Sequence, residues 1–200
     1  MTFFLVALNI AGFLLESAFA KPMIEAFALW PPESVSVPRA SPFHLWQIGT
    51  YSLLHANLAH LFFNMFGLYM FGRDVELALG RMRLLALYAA SVIAGALVQL
   101  AVLLASPPAG YPTVGASAGV FGLLVTYAVL FPRRRVVLLF PPIPMPAWLF
   151  ATGYAAAELL LGVRAGTSSI AHLAHLGGML GALICLLLWP RQPIDPRRFN

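Results

Sequence analysis

The chain has 200 residues, 60% of them hydrophobic and 10% charged, with a net charge of +5. A soluble domain carries about a quarter of its residues as charges, so this balance, with a mean hydropathy of +0.85, excludes an ordinary soluble enzyme or a nucleic-acid-binding module. It implies an all-α fold, a polytopic bundle of membrane-spanning helices joined by short loops, and the lone Cys185 excludes an intrachain disulfide.

Six apolar segments follow in chain order, at residues 3–20, 51–71 or beyond, 84–105, 117–131, 147–163 and 169–189. Each is read as a transmembrane helix. The first lacks a basic leading region and is read as a span rather than a cleavable signal. Pro31-Pro32, Pro107-Pro108, Pro141-Pro142, and Gly162 with Gly166 punctuate the joints. The loop 21–49 sets Trp30, Phe43, Leu45 and Trp46 among prolines, a composition expected at the membrane interface. The loop 133–146, with three arginines and four prolines, is expected to hug the opposite interface. Residues 1–190 form one helical membrane domain, and residues 191–200 a short basic tail.

Positive charge sets the orientation. Arg73, Arg81 and Arg83 follow the second span, Arg133 to Arg135 the fourth, and Arg191, Arg197 and Arg198 the sixth. The other side has only Lys21, Arg39 and Arg164. The positive-inside rule places both termini in the cytoplasm. Spans two, four and six then begin on the outer side, and they carry the polar residues that matter.

Polar side chains in hydrocarbon are expensive and mark function. Ser117 opens the fourth span within Gly115-Ala-Ser117-Ala-Gly119, and 14 residue steps separate it from Phe131. The same 14 steps separate His175 from Trp189. At 1.5 Å per residue both lie roughly 21 Å from the inner boundary of a core about 30 Å thick. Serine and histidine are therefore expected at equal depth, recessed below the outer face. Asn64 joins that level if the second span runs on to Leu79 before Gly80, and His60 sits one turn outward on the same face.

Peptide hydrolysis by serine needs a nucleophile, a base and donors for the oxyanion. Ser117 suits the first role and His175 the second. His60, Asn64 and the Ser117 backbone N–H suit the third, the last because a helix start leaves amides without intrahelical partners. Gly115 and Gly119 would admit close approach of a substrate backbone. Gly177, Gly178 and Gly181 would pack span six against span four. Glu16 and Glu158 lie toward the outer ends of odd-numbered spans without a strong claim on the site, so a Ser-His dyad is the simpler reading. His172 competes with His175 as base. His175 is preferred because it matches Ser117 in depth and precedes Gly178, and His172 is read as structural. His44 and His55 are read as solvated or capping, and Glu76 with Arg73 and Arg81 as an inner-surface charge cluster. Phe63 is a candidate for lining a substrate entrance. Taken singly, each residue also has a packing explanation: serine in a small-residue run, Asn64 as interhelical glue, Phe63 as core or lipid-facing.

Gly115-Ala-Ser117-Ala-Gly resembles the GxSx motif of rhomboid intramembrane serine proteases. Ala174-His175-Leu-Gly-Gly is similar to that family's sixth-helix histidine motif, and His55-x4-His60-x3-Asn64 to its second-helix pattern. Gly72-x3-Glu76-x3-Gly80 resembles the turn region that follows. The resemblance covers essentially the whole chain, and its three motifs together are highly specific. It implies Ser117 as nucleophile, His175 as base, His60 and Asn64 as oxyanion donors, and Phe121 as an aromatic packing on the imidazole. It also implies cleavage of single-span membrane proteins, with access beside span five, and a multi-pass location in a bacterial inner membrane. The chain has Trp46-Gln47 where the family typically has Trp-Arg.

The competing functions are a catalytically silent rhomboid-like binder of membrane segments and a small transporter. The first typically lacks the serine or histidine, and both are present. The second predicts internal repeats or midplane charges, which the sequence lacks. No cofactor is expected. No metal is expected either, because the histidines lack carboxylate or thiolate company at these spacings. The expected partners are transmembrane substrates and the lipid bilayer, with no nucleic acid; the sequence says nothing of oligomeric state.

Overall fold

The computed structural model describes residues 1–32, 41–105, 112–137, 142–164 and 170–189. Of the features expected from sequence, the tail 191–200, Arg39, Pro107-Pro108 and Gly166 lie outside the described residues. Helices dominate: α1 (Thr2–Ala18), α2 (Ala20–Phe27), α3 (Gln47–Thr50), α4 (Leu58–Leu79), α5 (Arg81–Leu104), α6 (Ser117–Leu130), α7 (Ala147–Arg164) and α8 (Ile170–Leu188). The six long ones form a polytopic membrane bundle. By length and hydropathy alone, α5 is sufficient to cross a membrane, while Thr2–Ala18, Ser117–Leu130, Ala147–Val163 and His172–Leu188 are shorter apolar helices. Bulky apolar side chains cover the outside, as lipid contact requires: Phe3 and Leu14 on α1, Leu97 on α5, Leu160 and Val163 on α7, Leu187 and Leu188 on α8 are all exposed.

The second span begins later than its hydropathy suggests. Tyr51–Leu53 is a 3-10 turn, and α4 starts only at Leu58, where the Asn57 side chain caps it by accepting from the His60 N–H at 2.8 Å. At its other end α4 runs on to Leu79, and Gly80 reverses the chain with φ 85° so that α5 starts at once. Glu76, beside that reversal, accepts from the Thr2 amide and hydroxyl, each at 2.8 Å, and so fastens α1 to α4. Arg81 joins Glu76 at 3.5 Å, but Arg73 reaches the Tyr69 hydroxyl instead.

Close packing of α5, α6 and α8 forms the centre. A Cβ on Gly178 would overlap the Ala118 backbone, so α8 meets α6 main chain to main chain. Gly177 and Gly181 face α5 rather than α6: their Cβ atoms would lie 2.8 Å from the Ala94 carbonyl and 2.7 Å from the Ala90 carbonyl. The glycines of α8 thus serve two neighbours because successive positions point around the helix, not along one face.

Two irregular regions flank the bundle. At the end of the bundle that holds the Gly80 reversal, Arg135–Val137 (β1) pairs antiparallel with Pro144–Pro146 (β2), and Arg134 binds Asp74 at 2.7 Å. At the opposite end, the described residues of the loop 21–49 are held by their polar groups. Trp30 Nε1 donates to the Ile24 carbonyl at 3.0 Å and Trp46 Nε1 to the Ala26 carbonyl at 2.8 Å. Gln47 is fully buried. Its carbonyl accepts from the Trp30 and His44 amides, and its amide donates to Ala26 and Pro42. Leu29 and Thr113 exchange both backbone hydrogen bonds, at 3.0 and 2.9 Å, and the Gly115 amide donates to the Tyr51 carbonyl at 3.0 Å.

Candidate active site

A cavity of about 460 Å³ opens between α4, α6, α7 and α8. Its wall is mostly apolar, with Phe63, Phe66, Phe121 and Phe150 prominent, and its polar lining comes from His60, Asn64, Ser117 and His175. Ser117 is the first residue of α6 and His175 lies one turn and a half into α8. The His175 Nε2 is 2.7 Å from the Ser117 Oγ. Thirteen steps separate Ser117 from Leu130 and His175 from Leu188, so each is roughly 20 Å above its helix's inner end. The equal depth follows from the constant helical rise, and the Gly178–Ala118 contact brings the two helices close enough for the side chains to meet.

The surroundings are poised for an anion near Ser117. No side chain caps α6, so its first amides lack intrahelical partners. His60 Nδ1 accepts from the Ala56 amide at 3.4 Å, which leaves the ring proton on Nε2. That Nε2 lies 2.8 Å from where a Gly115 Cβ would stand, and Gly115 has φ 126°. Glycine is required there twice, by backbone angle and by the His60 ring. Asn64 is buried and donates one amide hydrogen to the His60 carbonyl at 2.9 Å, with the other available to the cavity. Phe121 stacks on the His175 ring at 4.4 Å between centroids.

Across α7, Glu158 meets both histidines of α8. Its Oε2 is 2.7 Å from His172 Nδ1, in good alignment, and 3.0 Å from His175 Nδ1, close but off the ideal hydrogen-bond direction. Ser117, His175 and Glu158 therefore stand in contact in that order.

A rhomboid domain family model matches residues 42–191. The chain belongs to the rhomboid family. Among curated relatives it is similar to the mitochondrial rhomboid protein 1 of Saccharomyces cerevisiae, with 36% identity over 64% of this chain and 38% of the yeast protein. Its similarity to the putative rhomboid protease YdcA of Bacillus subtilis is 32% over 70% of this chain and 67% of that protein. A third relative, the rhomboid protease GluP of the same organism, is 31% identical over 68% of this chain and 24% of its own length. The chain spans well under half of the yeast relative.

Within this rhomboid frame the residues expected from sequence distribute unevenly. Ser117, His175, His60, Asn64, Phe63 and Phe121 line the cavity. Gly115 lies against His60, but Gly119 does not face a substrate path: its Cβ would run into the Tyr88 ring of α5, so it serves helix packing. His55, expected at the surface, is buried, its ring edge-on to His60 at 5.2 Å and its amide bonded to Glu16 at 2.8 Å. His172 stands apart from Ser117 and turns to Glu158.

Glu158 is the residue that reading the sequence undervalued. A buried acid in a membrane helix is itself a flag for function. Eleven steps from Ala147 place it roughly 16 Å up α7, within one turn of the level of Ser117. Contrary to the expectation from spacing, the histidines have a carboxylate neighbour: Glu158, His172 and His175 bring their ligand atoms within 4.8 Å of one another. Tetrahedral zinc with bonds of 2.0–2.1 Å would hold its ligand atoms about 3.3 Å apart. The observed 2.7 and 3.0 Å separations fit shared protons better.

Proposed function

We propose that this protein is an intramembrane serine endopeptidase that cleaves other membrane proteins in or near their transmembrane segments. The observation that carries the reading is the 2.7 Å contact between Ser117 Oγ and His175 Nε2 inside an apolar cavity among membrane helices. Ser117 Oγ attacks the scissile carbonyl while His175 Nε2 takes its proton. The tetrahedral oxyanion is met by the Ser117 amide, His60 Nε2–H and the Asn64 side chain. Collapse of the intermediate breaks the C–N bond, the new amine leaves with the proton from His175, and the acyl group stays on Ser117. A water, deprotonated by His175, then attacks the ester and releases the acid.

Substrate reaches the site laterally, beside α7, where the exposed Phe63 and the partly exposed Phe66 front the cavity. The protein resides in a bacterial inner membrane, both termini in the cytoplasm and the serine recessed from the outer face, as the distribution of arginines favours. Residues 1–190 act as one domain. The names of the two Bacillus relatives, a putative rhomboid protease and a rhomboid protease, support the activity. The competing binder reading has against it that both Ser117 and His175 are present and in contact.

The test is cleavage of a tagged single-span substrate by purified protein in liposomes, with labelling by a serine-reactive fluorophosphonate in parallel. Wild type and Gly49→Ala, whose new Cβ would meet nothing within 4 Å, are expected to cleave and label. Ser117→Ala and His175→Ala are expected to do neither. Absence of both cleavage and labelling in wild type favours the binder.

A further inference from the structure

Two histidines and one carboxylate meet at the outer ends of α7 and α8, and the mechanism above uses only one of them. Glu158 is buried in a helix whose neighbouring side chains, Leu159 to Leu161, are apolar and lipid-exposed. Nothing in helix packing calls for an acid at that position, and an unpartnered one would be costly. Its partners are the Nδ1 atoms of His172 and His175. One side of the His175 ring thus faces a serine hydroxyl and the other a carboxylate, at 2.7 and 3.0 Å.

We propose that Glu158 is a positioning residue for His175, extending the serine–histidine pair to a third member across α6, α8 and α7. The inference rests on the protease reading above. Imidazole has two tautomers, and only the one with its proton on Nδ1 leaves Nε2 free to accept from Ser117. A carboxylate at Nδ1 selects that tautomer and stabilises the imidazolium formed when the Ser117 proton arrives. Phe121 and Glu158 divide the task of holding the ring: the phenyl fixes its plane at 15° from parallel, and the carboxylate fixes its rotation within that plane. His172 holds the carboxylate in turn, accounting for the aligned 2.7 Å contact of a histidine that does not touch Ser117.

Among the described residues, the groups around His175 are few. Ser117 faces it from α6, Glu158 and Tyr154 from α7, His172 from its own helix and His60 from α4 across the cavity. α5 meets this part of α8 with Ala94 and Val98 at Gly177, and its Ser91 lies near Gly178. Glu158 is the one carboxylate in this set.

The experiment measures the rate of Ser117 labelling by a fluorophosphonate against pH in wild type, Glu158→Gln, Glu158→Ala, His172→Ala and Ser117→Ala, with the melting temperature of each in the same detergent. Loss of the carboxylate is expected to slow labelling at pH 7 at least tenfold. It is also expected to move the pH below which labelling falls to a lower value, because the imidazolium loses its neighbouring negative charge. His172→Ala is expected to keep the wild-type pH midpoint within half a unit, with a rate between wild type and Glu158→Ala. A residue that merely supports the fold would lower the melting temperature or the labelled fraction and leave the midpoint unmoved. Wild-type rate and midpoint in both Glu158 variants, or an unmoved midpoint in both, would overturn the proposal. Equal failure of wild type and Ser117→Ala to label would instead overturn the protease reading beneath it.

Discussion

Phe121 lies almost flat on the imidazole of His175, with ring centroids 4.4 Å and planes 15° apart, and its other side meets Tyr154 edge-on at 5.9 Å. One face of the histidine ring is thus held by a residue one turn along α6 from Ser117. Aromatic pairs contribute about 0.5–1.5 kcal/mol beyond their buried area. Phe121→Leu, which keeps most of the apolar volume, is expected to slow Ser117 labelling about two- to tenfold with little change in melting temperature. An unchanged rate would show that the ring plane is held by other contacts.

Gly178 sets the distance between the helices that carry Ser117 and His175. A side chain there would strike the Ala118 main chain, which cannot rotate away. Gly178→Val is expected to lower stability by at least about 1–3 kcal/mol, read as a drop in melting temperature, and to abolish labelling. Gly153→Ala on α7, where a Cβ meets nothing within 4 Å, is the contrasting case. It should gain about 1 kcal/mol from helix propensity alone.

Gly115→Ala tests the oxyanion region with the Ser117 and His175 side chains both retained; the new Cβ would stand 3.7 Å from Ser117 Oγ, an ordinary van der Waals contact. The φ of 126° is unfavourable for alanine, and its Cβ would stand 2.7 Å from His60 Cε1. The His60 ring must swing away, so cleavage is expected to fall by ten- to a hundredfold, the order seen when one oxyanion donor is lost. Cleavage at the wild-type rate would remove His60 from the oxyanion site.

Gln47 occupies a place where the resemblance leads one to expect arginine. Its amide group joins four backbone positions of the outer loop while fully buried. Gln47→Met keeps the volume and removes the hydrogen bonds, leaving the Trp30 amide without its buried acceptor at a cost of about 1–3 kcal/mol. A lower melting temperature is the expected result, and an unchanged one would mean that the tryptophan contacts alone hold the loop.

The fixed rise of an α-helix makes depth the most legible quantity in such a sequence, and the level meeting of Ser117 and His175 follows from it. Rotation about the helix axis is far less legible. Glu158 could be placed at the right height by counting, yet counting cannot say that it points at α8. The same blindness assigned Gly177 and Gly181 to α6 when they face α5, and Gly119 to the substrate path when it faces Tyr88. The start of α4 was hidden for a different reason. Tyr51–Leu53 is as apolar as a helix turn, and only Asn57, a preferred capping residue, marks where the helix begins. His55 looked like a surface residue because it precedes that cap, but the 3-10 turn folds it inward against His60.

The paired amides of Leu29 and Thr113, followed by the bond from Gly115 to Tyr51, have a mechanical consequence. They join Leu29 and Tyr51 by main-chain hydrogen bonds to the stretch of chain, Thr113 to Gly115, that leads into Ser117. Trp46 and Gln47, more than 60 residues upstream in sequence, thus have a main-chain route to Ser117 through Tyr51 and Gly115. On the protease reading, changes in that loop are expected to alter the rate of Ser117 labelling even where they never touch a substrate.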